Sequence, residues 1–196
     1  MLKVLLIYGF LSLPFSFYDE TYGMVYRKVA GVFFSKFRDN GSVVFREWKE
    51  PAMTRVNIGS YAIVNPDGTF HTAAVNINTR YMGYFPTILL IALVLASPVP
   101  WNRKLFALAA GLILLTLLIM FKQWIALLWL CEQNTWLRLT DFTGTSKKLL
   151  TFLNTFISDA SSTVLYFVFL IWFIVTFRLE DLKIQNPKSE IRNPKS

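Results

Sequence analysis

The sequence predicts a membrane all-α bundle of about four transmembrane helices with a small extracytoplasmic β-hairpin-containing domain. Three observations carry that expectation. Only 16% of the 196 residues are charged, whereas a soluble domain carries about a quarter. The charges are also clustered, vanishing from a few long runs and collecting between them. Finally, Asn65-Pro66-Asp67-Gly68 is a turn signal flanked by two segments of alternating polarity, the pattern of a hairpin.

The first apolar run, Val4 to Phe17, follows Lys3 and has no small-x-small cleavage pattern after it. Residues 1–18 are therefore expected to form an uncleaved signal anchor. Tyr22, Val25, Tyr26, Val29, Phe33 and Phe37 then recur at helical spacing, which predicts an amphipathic helix that continues the span or lies along the interface. From Gly41 the period shortens to two. Ser42 to Trp48 is β-prone, and Val56, Ile58, Ser60, Ala62 and Val64 share one face. Beyond the turn, His71, Ala73, Val75 and Ile77 do the same. Residues 19–80 thus read as an extracytoplasmic α+β segment.

A second span is expected over Tyr81 to Val99, because no charge lies between Arg80 and Arg103. A third runs uncharged from Leu105 to Phe121, about 26 Å of helix, close to the hydrocarbon thickness. Leu149, Leu150, Phe152, Leu153, Phe156 and Ile157 predict an outer amphipathic helix near 147–158. Ser162 to Phe177 reads as the fourth span, closing a three-helix transmembrane region over 81–178. The tail 179–196 repeats Asn-Pro-Lys-Ser at 186–189 and 193–196; so short and polar a repeat cannot bury a core, and a disordered cytoplasmic tail is expected. Basic residues in short loops face the cytoplasm. Arg103 and Lys104 therefore place both termini inside and residues 18–80 outside, giving a multi-pass protein.

Charge and composition also exclude functions. The net charge of +8 does not point to nucleic acid, because the basic residues flank apolar segments as membrane anchors do. A single cysteine, Cys131, and a single histidine, His71, exclude an intrachain disulfide and any multi-cysteine or histidine-rich metal site. No phosphate-cradling glycine loop and no pair of catalytic carboxylates is evident, and no cofactor is expected. Ala107 and Gly111 form a small-xxx-small pair suited to close helix packing. Asn76, Arg80, Tyr81, Gly83, Tyr84 and Pro86 crowd the entry to the second span. Polar and tyrosyl groups there suit an interaction surface, with Arg80 either an interfacial anchor or a contact for a partner's carboxylate.

The run from Val75 to Pro86, followed by Leu93-Val94-Leu95-Ala96-Ser97-Pro98, the basic turn and Leu105 to Gly111, resembles the exosortase H-associated membrane proteins. These are accessory proteins of bacterial exosortase sorting systems. The resemblance covers about residues 1–130 and departs from the family at Arg80 and Met82. It implies a noncatalytic helper of envelope protein sorting in the bacterial inner membrane, with lipid and an exosortase-type membrane protein as partners. A related alternative is a divergent exosortase-like thiol transpeptidase using Cys131, Arg80 and His71. The order of these residues in this chain is reversed from that of the enzymes.

Overall fold

A computed structural model describes residues 2–13, 16–37, 41–64, 70–134, 139, 142–157 and 161–177. Two helices, α1 (Leu2–Leu11) and α2 (Ser16–Phe34), precede three strands, β1 (Gly41–Trp48), β2 (Glu50–Val64) and β3 (Phe70–Asn78). A π-helical turn (Arg80–Tyr84) then leads into α3 (Phe85–Ala96), α4 (Trp101–Gln133), α5 (Gly144–Ile157) and α6 (Ser161–Thr176).

The expected four-span bundle is not the architecture. Of the six α-helices among the described residues, only α4 is long and apolar enough to cross a membrane. The error lies in equating an apolar run with a span. At 1.5 Å per residue α1 reaches about 15 Å, α6 about 24 Å, and α3 with its π turn about 25 Å, against roughly 30 Å of hydrocarbon. Ser97 stops α3 by adopting an extended conformation (ψ 141°), as the residue before a proline tends to do. In contrast, α4 continues through Lys122 and Gln123 for 33 residues, about 50 Å.

The β-rich part is also larger than a hairpin. It is a three-stranded antiparallel sheet in the order β1-β2-β3. Val43, Val56 and Ile58 are buried, as are Thr54, Ser60 and Ala73, so the inner face of β1 and β2 follows the period of two that the alternating residues predict, whereas on β3 Ile77 is half-buried and Val75 is 37% exposed. Pairing places Val56 opposite Val75 and Ile58 opposite Ala73. The turn at 65–69, the His71 side chain and the tail beyond 177 lie outside the described residues.

The sheet packs on α2, but not through the whole stripe expected there. Tyr26, Ala30 and Phe34 are buried, with Phe37 just beyond the helix, while Val25 and Phe33 are exposed. Helix α2 is apolar on two faces, and only one of them meets the sheet. The contact is close: a Cβ at Gly23 would lie 2.6 Å from the Pro51 carbonyl oxygen. Below the sheet, α3 is the central helix, packed against α1, α4 and α6.

Candidate functional site

A group of polar residues converges where the sheet, α2 and α3 meet. Asn78 ends β3, and its Oδ1 accepts the backbone N–H groups of Arg80 (3.0 Å) and Tyr81 (3.4 Å). Thr79, 1% exposed, donates its hydroxyl to the Ala52 carbonyl at 2.8 Å. These bonds fix where the strand ends. The chain then widens into the π turn, in which the Phe85 N–H reaches back to the Arg80 carbonyl. Such single π turns often mark functional positions.

The π turn points its side chains in different directions. Arg80 Nη1 lies 3.5 Å from Asp19 Oδ2 on α2, and its guanidinium stands over the Phe85 ring at 5.3 Å. Tyr84 donates its hydroxyl to the Leu11 carbonyl at 2.6 Å, holding the end of α1. Its ring meets Tyr22 edge-on at 5.8 Å and stacks with Tyr18 at 6.4 Å. Gly83 is buried against the Tyr22 hydroxyl, and a Cβ there would overlap it. On the next turn of α2, the Tyr26 hydroxyl donates to Gln123 Oε1 of α4 at 3.2 Å. Gln123 is fully buried, and its amide nitrogen has no hydrogen-bond partner among the described residues.

The six residues expected to form an interaction surface therefore separate. Gly83, Tyr84 and Pro86 are buried, Arg80 is half-buried and paired internally, and Asn76 and Tyr81 face outward. The buried members form a joint that locks α1, α2, α3 and α4 together. The sequence reading missed Asp19 and Gln123 in the other half of this joint, and placed Tyr22 and Tyr26 only on the stripe of an amphipathic helix. A glutamine within an apolar helix was the one available signal, because such a group needs a partner. Ala107 and Gly111 lie on the inner side of α4; a Cβ at Gly111 would come within 3.1 Å of Leu90.

Burial raises the phenol pKa values of Tyr22 and Tyr26, since desolvation disfavours the charged form. The hydrogen bond to Thr87 only partly opposes this at Tyr22. The folded state therefore holds these protons more tightly than the unfolded chain. Their contribution is complete below the unfolded value of 10.0 and is lost as pH rises through the higher folded values. Alkaline titration followed by tyrosinate absorbance should show these two phenols ionising only together with loss of tertiary structure. Ionisation ahead of unfolding would contradict their burial.

Cys131, 2% exposed, belongs to the apolar core. It follows Gln123 by eight residues, about 12 Å along α4. One residue further, Glu132 accepts Lys147 Nζ at 2.6 Å, fastening α5 to α4. No group of three or more His, Cys, Asp or Glu side chains suited to a metal ion occurs among the described residues.

The outer face of the sheet carries a different arrangement. Arg46 on β1 pairs with Arg55 on β2, which pairs with Asn76 on β3, so the three occupy one cross-strand row. Like charges directly opposite one another repel. Arg55 lies over the Trp48 ring at 4.2 Å, and neither arginine forms a salt bridge among the described residues.

Fold and site together define an α+β protein in which a sheet with two opposed arginines on its outer face is carried on an amphipathic helix and joined to one long apolar helix. Comparison with family models, curated proteins and solved structures finds no match to this chain.

Proposed function

We propose that this chain is a noncatalytic, membrane-anchored accessory protein that presents the outer face of its sheet to an acidic segment of another envelope protein. In this reading the apolar first part of α4 crosses the membrane, and the joint around Tyr22 and Tyr84 fixes the sheet relative to it. The observation that carries the proposal is the Arg46–Arg55–Asn76 row. Two opposed guanidiniums beside an amide gain most when a carboxylate lies across them. The resemblance to the exosortase H-associated proteins supplies the context, an exosortase-type sorting system. Tyr81, 64% exposed, lies just past the end of β3, with its ring against Phe85.

A photo-crosslinking amino acid at Asn76 in membranes that also contain an exosortase-type protein should capture that protein. Arg46→Glu with Arg55→Glu should reduce capture at least tenfold without lowering membrane levels, while Cys131→Ala should leave it unchanged. Capture indifferent to the charge reversal would refute the binding face. Capture or sorting abolished by Cys131→Ala would favour thiol chemistry instead.

A further inference from the structure

Helix α5 has an apolar surface on two sides, and only one is covered. Leu150 and Ile157 are buried, and Lys147 is held by Glu132. Leu149, Phe152 and Phe156 face outward, the two phenylalanines at 63% and 55% exposure. Their rings stack in parallel at 6.0 Å and 9°, forming one wall of a cleft of about 540 Å³. The opposite wall is α6, with Thr163, Tyr166, Phe167 and Leu170. Thr163 is already committed, donating to the Phe156 carbonyl at 3.2 Å, so this wall presents almost only hydrocarbon and ring.

The Phe152 ring borders a second cavity of about 510 Å³, lined also by Gly144, Lys147, Lys148 and Thr151 on the first turns of α5. Lys148 is exposed and forms no ion pair among the described residues. The two cavities therefore share the Phe152 ring, the apolar cleft on one side and the recess with Lys148 on the other. The exposed face of α6 continues the apolar surface through Phe169, Phe173 and Ile174.

We infer that the α5–α6 cleft, with Lys148 at its mouth, binds one anionic membrane phospholipid, the phosphate at Lys148 and an acyl chain between Phe152/Phe156 and Tyr166/Leu170. The inference rests on the membrane-anchored reading above and deepens it. Charge complementarity selects this occupant: the ammonium of Lys148, which forms no ion pair among the described residues, suits a phosphate, and the ring-lined cleft suits a saturated chain. An amphipathic helix with lysines at its polar margin lies where these groups meet, at the headgroup boundary.

The test uses the full chain reconstituted in phosphatidylcholine vesicles containing phosphatidylglycerol with a photoactivatable acyl chain. Adducts should map to residues 152–156 and 166–170, and unlabelled phosphatidylglycerol should compete where phosphatidylcholine does not. Lys148→Ala should weaken the competition about fivefold, the effect of one lysine at an anionic surface. Thr155→Trp, an exposed position on the cleft wall, should suppress labelling without removing a charge. Equal competition by both lipids would overturn the inference, as would adducts spread evenly over α1, α4 and α6, or crosslinks at this face to a second copy of the chain. Vesicle flotation of the same samples separates the two readings. A chain that floats but labels evenly refutes only the lipid site, whereas one that never floats refutes the membrane anchor and this site with it.

Discussion

Gly83→Ala is expected to destabilise the protein by about 1–3 kcal/mol, the usual range for forcing a methyl group into a packed interior, although alanine ordinarily favours a helix by up to about 1 kcal/mol over glycine. The sign is set by Tyr22. A Cβ at position 83 overlaps the Tyr22 hydroxyl and crowds its ring. That ring is held in turn by Thr87 and by the edge of Tyr84, so moving it disturbs contacts on three elements. Tyr22→Phe should relieve the overlap in part by removing the nearest atom. In a Tyr22→Ala background the clash is absent, and Gly83→Ala should become neutral or mildly stabilising. Gly23→Ala is the control: it should cost a similar amount, but the atom it meets is the backbone carbonyl of Pro51, so no side-chain truncation relieves it. Denaturant unfolding of the detergent-purified variants measures all four effects. A cost for Gly83→Ala that persists in the Tyr22→Ala background would remove Tyr22 from the joint.

The same pair explains which parts of the molecule were legible in the sequence. Strand periodicity is local. The alternation of Val56, Ile58 and Ser60 is sufficient to predict the buried face of β2, and these three residues are buried. The β1 strand was legible as a β-prone run, but its pairing with β2 was not, since it depends on a reversal at Trp48–Glu50 in which Lys49 takes a positive φ of 55°. Helix α2 was legible as amphipathic, but sequence spacing alone does not say which of its two apolar faces meets the sheet. The joint was half legible. Gly83, Tyr84 and Pro86 stood out because they are adjacent in the chain, whereas Asp19, Tyr22, Tyr26 and Gln123 reach them only through long-range packing. Membrane architecture was the least legible. Apolar runs reveal affinity for hydrocarbon, but helix length is set where the backbone stops, as at Leu11 and Ser97.

Because α4 is the one described helix of sufficient length, a single charge in its apolar part should have an effect out of proportion to its size. Ile113 is 62% exposed on α4, within the uncharged run from Leu105 to Phe121. On a soluble protein, Ile113→Arg would be a mild surface change, within about 0.5 kcal/mol. In a bilayer the arginine costs roughly 2.5–3.5 kcal/mol at mid-helix, a shift of about 100-fold in the insertion equilibrium. Its neighbours cannot offset this, because Leu114 and Leu117 beside it are also exposed and apolar. Gln133→Arg, at the exposed end of the same helix, adds the same charge where water can reach it and should be neutral. The fraction of each variant that resists alkaline carbonate extraction from membranes reads the difference. Loss for Ile113→Arg with retention for Gln133→Arg locates hydrocarbon around the first half of α4. Equal retention of both, or equal release, would mean that the exposed leucines and phenylalanines of this helix are covered by protein instead.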